Sequence, residues 1–291
     1  MTPFDVLYGW EASIAIFKNW TNAMIYTILT IDLLDQQYAI HGNRSLLSGG
    51  TAMRHINILS GLICTGKSAY LRKLMGRPEF RDATTVSLDD IGILYWGRRT
   101  MTGTEKIYRN QLAREEVQRR IIVDGAQTVL LEMVMLTRKK HQEPFVRMVA
   151  DTEQYLRLIE TERAKIGQRQ FVQDDSNVRL NVVLLYCSLE RVQERIERRK
   201  REGNSNSPVL SMDGVLHAAI QFEMPEVYDS LPLDTTDECE EAECNRMQEI
   251  TAFFLREEKP TQAVFDTRMN EARKCLYELK QEAKKEGIVL I

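Results

Sequence analysis

Short apolar segments alternate with longer segments of helical periodicity along most of this chain. The strand-like segments are 55–60, 84–88, 128–133, 182–187 and a shorter one at 231–233. Apolar and charged residues at three- and four-residue spacing predict helices at 67–74, 105–123, 143–165, 189–202, 237–257 and 261–285. Strands that are apolar on both faces and alternate with helices indicate a parallel sheet covered on both sides. The pattern therefore predicts a three-layer α/β/α fold with a parallel sheet.

The segments outside this alternation predict two helical extensions. Residues 1–54 are rich in aromatic side chains, with apolar positions at roughly helical intervals, and the last 55 residues, 237–291, carry two helical patterns. Neither flank holds a second catalytic motif. We therefore expect an N-terminal extension over 1–54, a core over 55–236 with a lid near 188–210, and a C-terminal extension over 237–291.

Composition and charge exclude several classes of protein. The chain has 291 residues, 43% of them hydrophobic, and its 39 Lys and Arg nearly balance 42 Asp and Glu. A disordered chain would be less apolar and further from neutral, and a dedicated nucleic-acid binder is usually strongly basic. The five cysteines show no paired spacing. The most apolar N-terminal stretch, 19–31, is too short to span a membrane, so we expect a cytoplasmic protein without membrane contact.

The segment Gly61–Ser68 reads GLICTGKS and fits the Walker A pattern G-x-x-x-x-G-K-[ST]. A strand is predicted before it and a helix after it, which is the context that the pattern requires. Glycines let successive N–H groups turn towards a phosphate, the lysine supplies a positive charge, and the hydroxyl of the last residue can bind Mg²⁺. The predicted nucleotide-binding residues are Gly61, Cys64, Thr65, Gly66, Lys67, Ser68 and Ala69.

Two other classes of nucleotide-binding protein fit less well. Residues 47–50 read LSGG, like part of the ABC-ATPase signature, but they precede the Walker A loop instead of following it. Residues 89–92 fit the short D-x-x-G pattern of GTPases, but the guanine-reading N-K-x-D motif is absent. We interpret the first segment as a linker, and a GTPase is disfavoured.

The remaining features resemble P-loop kinases of the polynucleotide-kinase, gluconate-kinase and zeta-toxin type, together with related AAA-type ATP-binding proteins. After the Walker A loop, a second strand ends in Asp89 and Asp90, and a third ends in Glu132. The fourth strand is followed by an arginine-bearing helix. Segments 222–225 and 233–236 are similar to those after the lid and at the last strand of such kinases. The resemblance implies ATP and Mg²⁺ as cofactors and a hydroxyl group as phosphoryl acceptor.

Carboxylates at the ends of two strands are the candidates for the acceptor and the metal. In the resembling kinases an aspartate after the second strand orients or deprotonates the acceptor, which favours Asp90 as the base, with Asp89 near the metal or at the helix cap. The alternative is that both aspartates only cap the next helix. Glu132 is placed as a metal-associated acid together with Ser68, and the alternative is a loop carboxylate without a metal role. Polynucleotide kinases have an arginine three residues after the base, where this chain has Ile93.

Arginines after the fourth strand are candidates for a lid. Arg191, Arg195 and Arg198 share one helical face, and Arg195 and Arg198 are predicted to stabilise charge on the transferred phosphoryl group. The alternative is a solvated helix, because glutamates alternate with these arginines. Segment 203–208 is flexible by composition, as the tip of a closing lid would be.

The sequence leaves two functions open. The first is a kinase that moves the γ-phosphoryl group of ATP to a hydroxyl of a small molecule or to the 5′-OH of a polynucleotide, with nucleic acid lacking positive support. The second is an ATP-binding regulatory or interaction module without transfer. Arg109, Arg114, Tyr95 and Trp96 could bind an acceptor, but a surface or core role fits them equally.

Overall fold

The computed structural model describes residues 53–98, 102–133, 139–165, 176–202, 211–225, 230–256 and 258–288. The chain divides into two compact units, residues 1–51 with 159–171 and residues 52–158 with 172–291. The sheet and the Walker A segment belong to the second unit. The predicted N-terminal extension lies outside the described residues, apart from its last two positions.

Five strands form one sheet in the order β2-β3-β1-β4-β5, and every neighbouring pair is parallel. Their bounds are β1 Arg54–Gly61, β2 Thr84–Val86, β3 Thr128–Met133, β4 Val178–Tyr186 and β5 Ser230–Asp234. The predicted parallel sheet is therefore confirmed. The second strand ends two residues earlier than predicted, because Ser87 already caps a helix: its hydroxyl accepts a hydrogen bond from the Asp90 N–H.

The helices within the described ranges are α1 Lys67–Met75, α2 Leu88–Trp96, α3 Gly103–Ile122, α4 Lys139–Lys165, α5 Leu189–Arg201, α6 Met212–Ile220, α7 Glu240–Arg256 and α8 Gln262–Lys285. The sequence pattern did not predict α2 or α6. Helix α2 is short, and its isoleucines, glycine and aromatic residues are weak helix formers. It begins at the Ser87 cap and ends at Gly97, which takes the left-handed conformation common after a helix.

Helices cover both faces of the sheet, which confirms the three-layer architecture. On one face, Ile56 and Ile58 of β1 share a buried cluster with residues of α2, α3 and α4. On the other face, Leu59 of β1 shares a buried cluster with residues of α1 and α7, among them Phe253 and Phe254. Each large apolar side chain buried in this way stabilises the fold by about 1.5–3 kcal/mol.

The last two helices pack into the same unit as the sheet. Phe254 of α7 is fully buried. Leu279 and Ala283 of α8 share a buried cluster with Leu62 of the Walker A segment and Val192 of α5. The boundaries at residues 54 and 236 stay a prediction, but the C-terminal helices contribute to the core. No helix among the described residues combines the length and the apolarity that crossing a membrane requires.

Candidate nucleotide site

The Walker A segment connects the end of β1 to α1 at the centre of the sheet. Gly61 has φ 143°, and a Cβ atom there would lie 2.2 Å from the carbonyl oxygen of Leu185. Gly66 has φ 92°, and Cys64 also lies in the left-handed region, with φ 68°. The backbone of the loop therefore requires glycine at position 61, where β4 approaches it, and favours glycine at position 66.

Hydrogen bonds hold the carbonyl groups of the loop and leave its amides available. The Thr65 hydroxyl donates to the Leu62 carbonyl at 2.8 Å, and the Thr235 hydroxyl donates to the Thr65 carbonyl at 3.1 Å. Within the described part of the chain, the N–H groups of residues 64–67 donate to no protein acceptor. Ala69 differs, since its N–H donates to the Gly66 carbonyl at 3.0 Å. Unpaired amides at a helix N-terminus favour an anion.

Lys67 is buried inside the loop. Its Nζ donates to the Leu62 carbonyl at 2.5 Å. Burial lowers the pKa of Lys67 from 10.5 to about 8, the Glu132 carboxylate opposes this shift, and the Arg199 guanidinium adds to it. The lysine is therefore held in the loop and faces a carboxylate at the end of the neighbouring strand.

Glu132 lies in β3 opposite Leu59 of β1, two residues before the loop. Its Oε2 atom is buried and has no hydrogen-bond partner. The Ser68 side chain is exposed in the first turn of α1. Among the described residues, no group of three or more His, Cys, Asp and Glu side chains could hold a metal ion. A magnesium ion would therefore depend on phosphate oxygens, with Ser68 and Glu132 contributing directly or through water, and the donor types of these residues fit such an ion.

The two aspartates occupy the first turn of α2, where Ser87 is the capping residue. Acidic side chains are favourable in this turn because the N-terminus of a helix is positive. Asp89 is half-buried and Asp90 is exposed. The Asp89 carboxylate acts on Arg109 of α3, where it opposes the lowering of the arginine pKa by burial. Asp89 is therefore the more enclosed of the two and lies near a cation.

Arg195 reaches the Walker A loop as a structural clamp. Its guanidinium donates to the Cys64 carbonyl at 2.8 Å, to the Thr235 carbonyl at 2.6 Å and to Glu238 at 2.8 Å. The side chain is buried, so these bonds join α5, the loop and the segment after β5. Arg198 is exposed and donates to Glu238 at 2.9 Å. In this arrangement both predicted lid arginines are engaged by protein groups.

Arg199 also lies beside the phosphate loop, although the sequence analysis did not select it as a site residue. The Arg199 guanidinium donates to the Cys64 Sγ at 3.2 Å and acts electrostatically on Lys67. Arg199 is four residues after Arg195 and thus on the same helical face, which is the pattern that could have indicated it. The predicted lid tip at 203–208 lies outside the described residues.

The structure brings the Walker A residues, Glu132, Arg195 and Arg199 together at the C-terminal edge of the sheet. It does not bring Arg198 to the loop. Asp89 and Asp90 follow β2, which is separated from β1 by β3. Binding sites in open parallel sheets lie at this edge, where the strand order reverses.

Comparisons with known proteins identify structures of similar fold. No protein-family model and no curated protein sequence matches this chain. A chain of a Pnkp1/Rnl/Hen1 complex is similar at 11% identity with TM-score 0.37, over 51% of this chain and 41% of that one, so the match spans less than half of that protein. A sugar kinase from Janibacter sp. is similar at 11% identity and TM-score 0.42, over 70% of this chain and 94% of its own.

Chaetomium thermophilum Kti12 in complex with ADP-AlF3 is similar at 14% identity and TM-score 0.42, over 68% of this chain and 98% of its own. These are similarities of fold. The parallel sheet with flanking helices and the geometry of the Walker A loop define this chain as a P-loop α/β/α protein.

Proposed function

We propose that the chain is an ATP- and Mg²⁺-dependent phosphotransferase that moves the γ-phosphoryl group to a hydroxyl acceptor. The observation that carries this proposal is the buried Lys67 in a loop of available amides, which interacts electrostatically with Glu132, one of whose oxygens has no partner. Such a site offers donors to an anion and an acceptor to a hydrated cation. Both are needed to bind the triphosphate of ATP as its magnesium complex.

The transfer step depends on positioning and on charge. The loop amides and Lys67 hold the phosphates, Ser68 and Glu132 support the metal, and Arg199 supplies a further positive charge beside the loop. Of the two aspartates, the half-buried Asp89 is the better candidate to orient the acceptor hydroxyl, since it is enclosed, while Asp90 faces solvent. The magnesium ion, when bound, neutralises charge on the phosphates.

A second function is an ATP-binding regulatory module that transfers nothing. It is supported by the engagement of Arg195 and Arg198 with Glu238, which keeps the predicted lid arginines on protein groups. In such a module, nucleotide binding would change the contacts that Arg195 makes with the loop. The two functions differ in whether an aspartate of α2 is needed.

The test is phosphate transfer from ATP to a panel of hydroxyl compounds, by wild type and single variants. We expect Lys67→Ala and Asp89→Asn each to lower the rate at least a hundredfold, and Asp90→Asn to lower it less. Asp82→Asn is the control, because Asp82 is exposed and paired only with the neighbouring Arg81 among the described contacts. Transfer that is unchanged in Lys67→Ala would refute the kinase, and tight ATP binding without transfer to any acceptor would favour the module.

We also propose a cytoplasmic location. All five cysteines are present as thiols; Cys64 is buried within the phosphate loop and Cys187 is buried beside Arg195. Unpaired cysteines are typical of reducing compartments.

A further inference from the structure

Two neighbouring residues near the start of α3 carry buried polar atoms without partners. Asn110 is 2% exposed, and both its Oδ1 and its Nδ2 lack a hydrogen-bond partner. The Nε of Arg109 is also buried and without a partner. Buried polar groups are almost always paired in folded proteins because an unpaired group is destabilising. The amide of Asn110 therefore requires an explanation, and a bound molecule would provide one.

The geometry of the elements places Asn110 at the edge of the sheet that holds the nucleotide site. Helix α3 leads into β3, so it runs back along the sheet from the end of that strand towards its beginning. From Asn110 the helix rises about 18 Å to its last residue, which is close to the length of about 20 Å for the six residues of β3. Asn110 is therefore level with the end of β3, where Glu132 lies.

Helix α4 borders the same place. Arg114 of α3 lies over the Phe145 ring of α4, 5.8 Å from its centroid, and Gln118 donates to Thr152 one to two turns further along both helices. The two helices therefore run side by side in the same direction. Asn110 lies one turn before Arg114 on α3 and on the same side of the helix, the side that α4 borders at Phe145.

Arg109 and Asp89 lie near enough for their charges to interact. Burial lowers the pKa of the arginine, and the Asp89 carboxylate opposes that shift, so the two charges interact. Yet within the described part of the chain Arg109 forms no ion pair, for which its nitrogen atoms would have to lie within 4.0 Å of a carboxylate oxygen. The two side chains are therefore not in direct contact. A molecule that carries an anionic group and a hydroxyl could bind both side chains at once, with the anion at Arg109 and the hydroxyl at Asp89.

We propose that Asp89, Arg109 and Asn110 form the acceptor site, and that the acceptor is a small hydroxylated anion, either a carboxylate or a phosphate ester. This inference rests on the proposed function. Arg109 pairs with the anionic group, and the Asn110 amide binds hydroxyl groups, which both donate and accept. An enclosed amide fits a small molecule better than a polynucleotide.

The proposed phosphoryl transfer forms one bond, breaks one bond and moves one proton. The acceptor hydroxyl oxygen forms a bond to the γ-phosphorus of ATP, and the bond from that phosphorus to the oxygen bridging to the β-phosphorus breaks. ADP leaves with that oxygen. The hydroxyl proton passes to the Asp89 carboxylate, and from there to solvent.

The experiment measures acceptor binding separately from transfer. Two matched series are titrated calorimetrically into the full chain: D-glycerate, glycerol 3-phosphate and glycerol, and D-gluconate, glucose 6-phosphate and glucose. We expect at least one anion to bind at least tenfold more tightly than the neutral compound of its series. The carboxylate and phosphate arms distinguish the two kinds of anion.

The variants then assign the binding to the residues. Arg109→Gln should remove the preference for the anion, whereas Lys106→Gln, an exposed lysine of the same helix, should leave it unchanged. Asn110→Leu should weaken binding about tenfold and raise the Tm by about 2–4 °C, because it removes an unpaired buried amide. A fall in Tm for Asn110→Leu would indicate a structural role instead and would overturn its part in the site.

Two further outcomes separate this inference from the proposed function. Binding of the anion by both wild type and Lys67→Ala, with no transfer by wild type, would refute the kinase and retain the site. Absence of a tenfold preference in both series, or binding only of a single-stranded oligonucleotide, would overturn the inference even if transfer to another acceptor were found.

Discussion

At the scale of single residues, the protonation of Lys67 connects the geometry of the loop to the affinity of the loop for phosphate. The lysine is enclosed by the loop and donates to the Leu62 carbonyl, and its pKa is lowered to about 8. An anion bound in the loop favours the protonated lysine. Below pH 8 the proton is already present, and above pH 8 binding must take up a proton from solution.

We therefore expect the affinity for ADP to be constant between pH 6.5 and 7.5 and to fall by up to tenfold per pH unit above about 8. Calorimetry across this range, in two buffers with different ionisation enthalpies, measures both the affinity and the proton uptake. Lys67→Arg should bind with little change over the same range, because arginine stays charged. A wild-type affinity that does not change up to pH 10 would contradict the burial of Lys67.

At Gly61, the neighbouring backbone leaves no room for a side chain. A Cβ at Gly61 would lie 2.2 Å from the Leu185 carbonyl oxygen, whereas at Gly125, φ 70°, it would meet nothing within 4 Å. We expect Gly125→Ala to cost about 1–2 kcal/mol through its left-handed backbone alone. Gly61→Ala should cost clearly more and abolish nucleotide binding. Chemical denaturation and nucleotide titration measure the two effects, and equal costs would show that β4 can move away from the loop.

At the scale of elements, α5 is joined to the phosphate loop and to the segment after β5 by one guanidinium and one carboxylate. Arg195 donates to Cys64, Thr235 and Glu238, while the hydrogen bonds of Arg198 to described residues all go to Glu238. Hydrogen bonds from Arg198 and Arg195 lower the pKa of Glu238 to about 2. The helix that was predicted to be a mobile lid is thus fastened at this point.

We expect Arg195→Leu to destabilise the fold by about 3–5 kcal/mol, because it leaves the buried Cys64 and Thr235 carbonyl groups without their donor and removes the buried member of the pair with Glu238. Arg198→Leu is the matched control and should cost about 0–1 kcal/mol, since that pair is exposed to solvent. Urea denaturation of the two variants measures the difference. If both changes cost the same, Arg195 would not act as the clamp, and its lid role would regain support.

At the scale of the whole molecule, the C-terminal helices complete the layers that cover the sheet. Ile250 and Phe254 of α7 are fully buried against the face of the sheet that carries α1, and Ala283 of α8 is fully buried beside the phosphate loop. Removing them would expose apolar surface on the central strands.

We expect a chain that ends at residue 236 to lose cooperative unfolding and nucleotide binding. A milder form of the test is Phe254→Ala, which should cost about 3–5 kcal/mol, with Val264→Ala of α8, an exposed position, within about 0.5 kcal/mol of wild type. Circular dichroism and thermal denaturation measure these effects. A truncated chain that folds and binds nucleotide would show that 237–291 is a separable extension.

Local patterns were sufficient for the features that are contiguous in the chain. The Walker A residues occupy eight consecutive positions, so their motif and its strand–helix context predicted the loop. The parallel sheet followed from strands apolar on both faces, and Glu132 was selected because it follows an apolar strand; the observed pairing of β3 with β1 places it beside the loop. Helix α2 was missed because its cap and its C-terminal glycine determine it more than its periodicity does.

The sequence by itself determined the three-layer architecture, the phosphate loop and the set of candidate acids and arginines. Only the tertiary structure decided which of these side chains meet. Arg195 and Arg199 share a helical face, and the packing of α5 against the loop makes the first a clamp and leaves the second beside Lys67. Asn110 has no sequence pattern that marks it, because the burial of its amide depends on how α3 packs into the fold. Such contacts join residues far apart in the chain, and local periodicity carries no information about them.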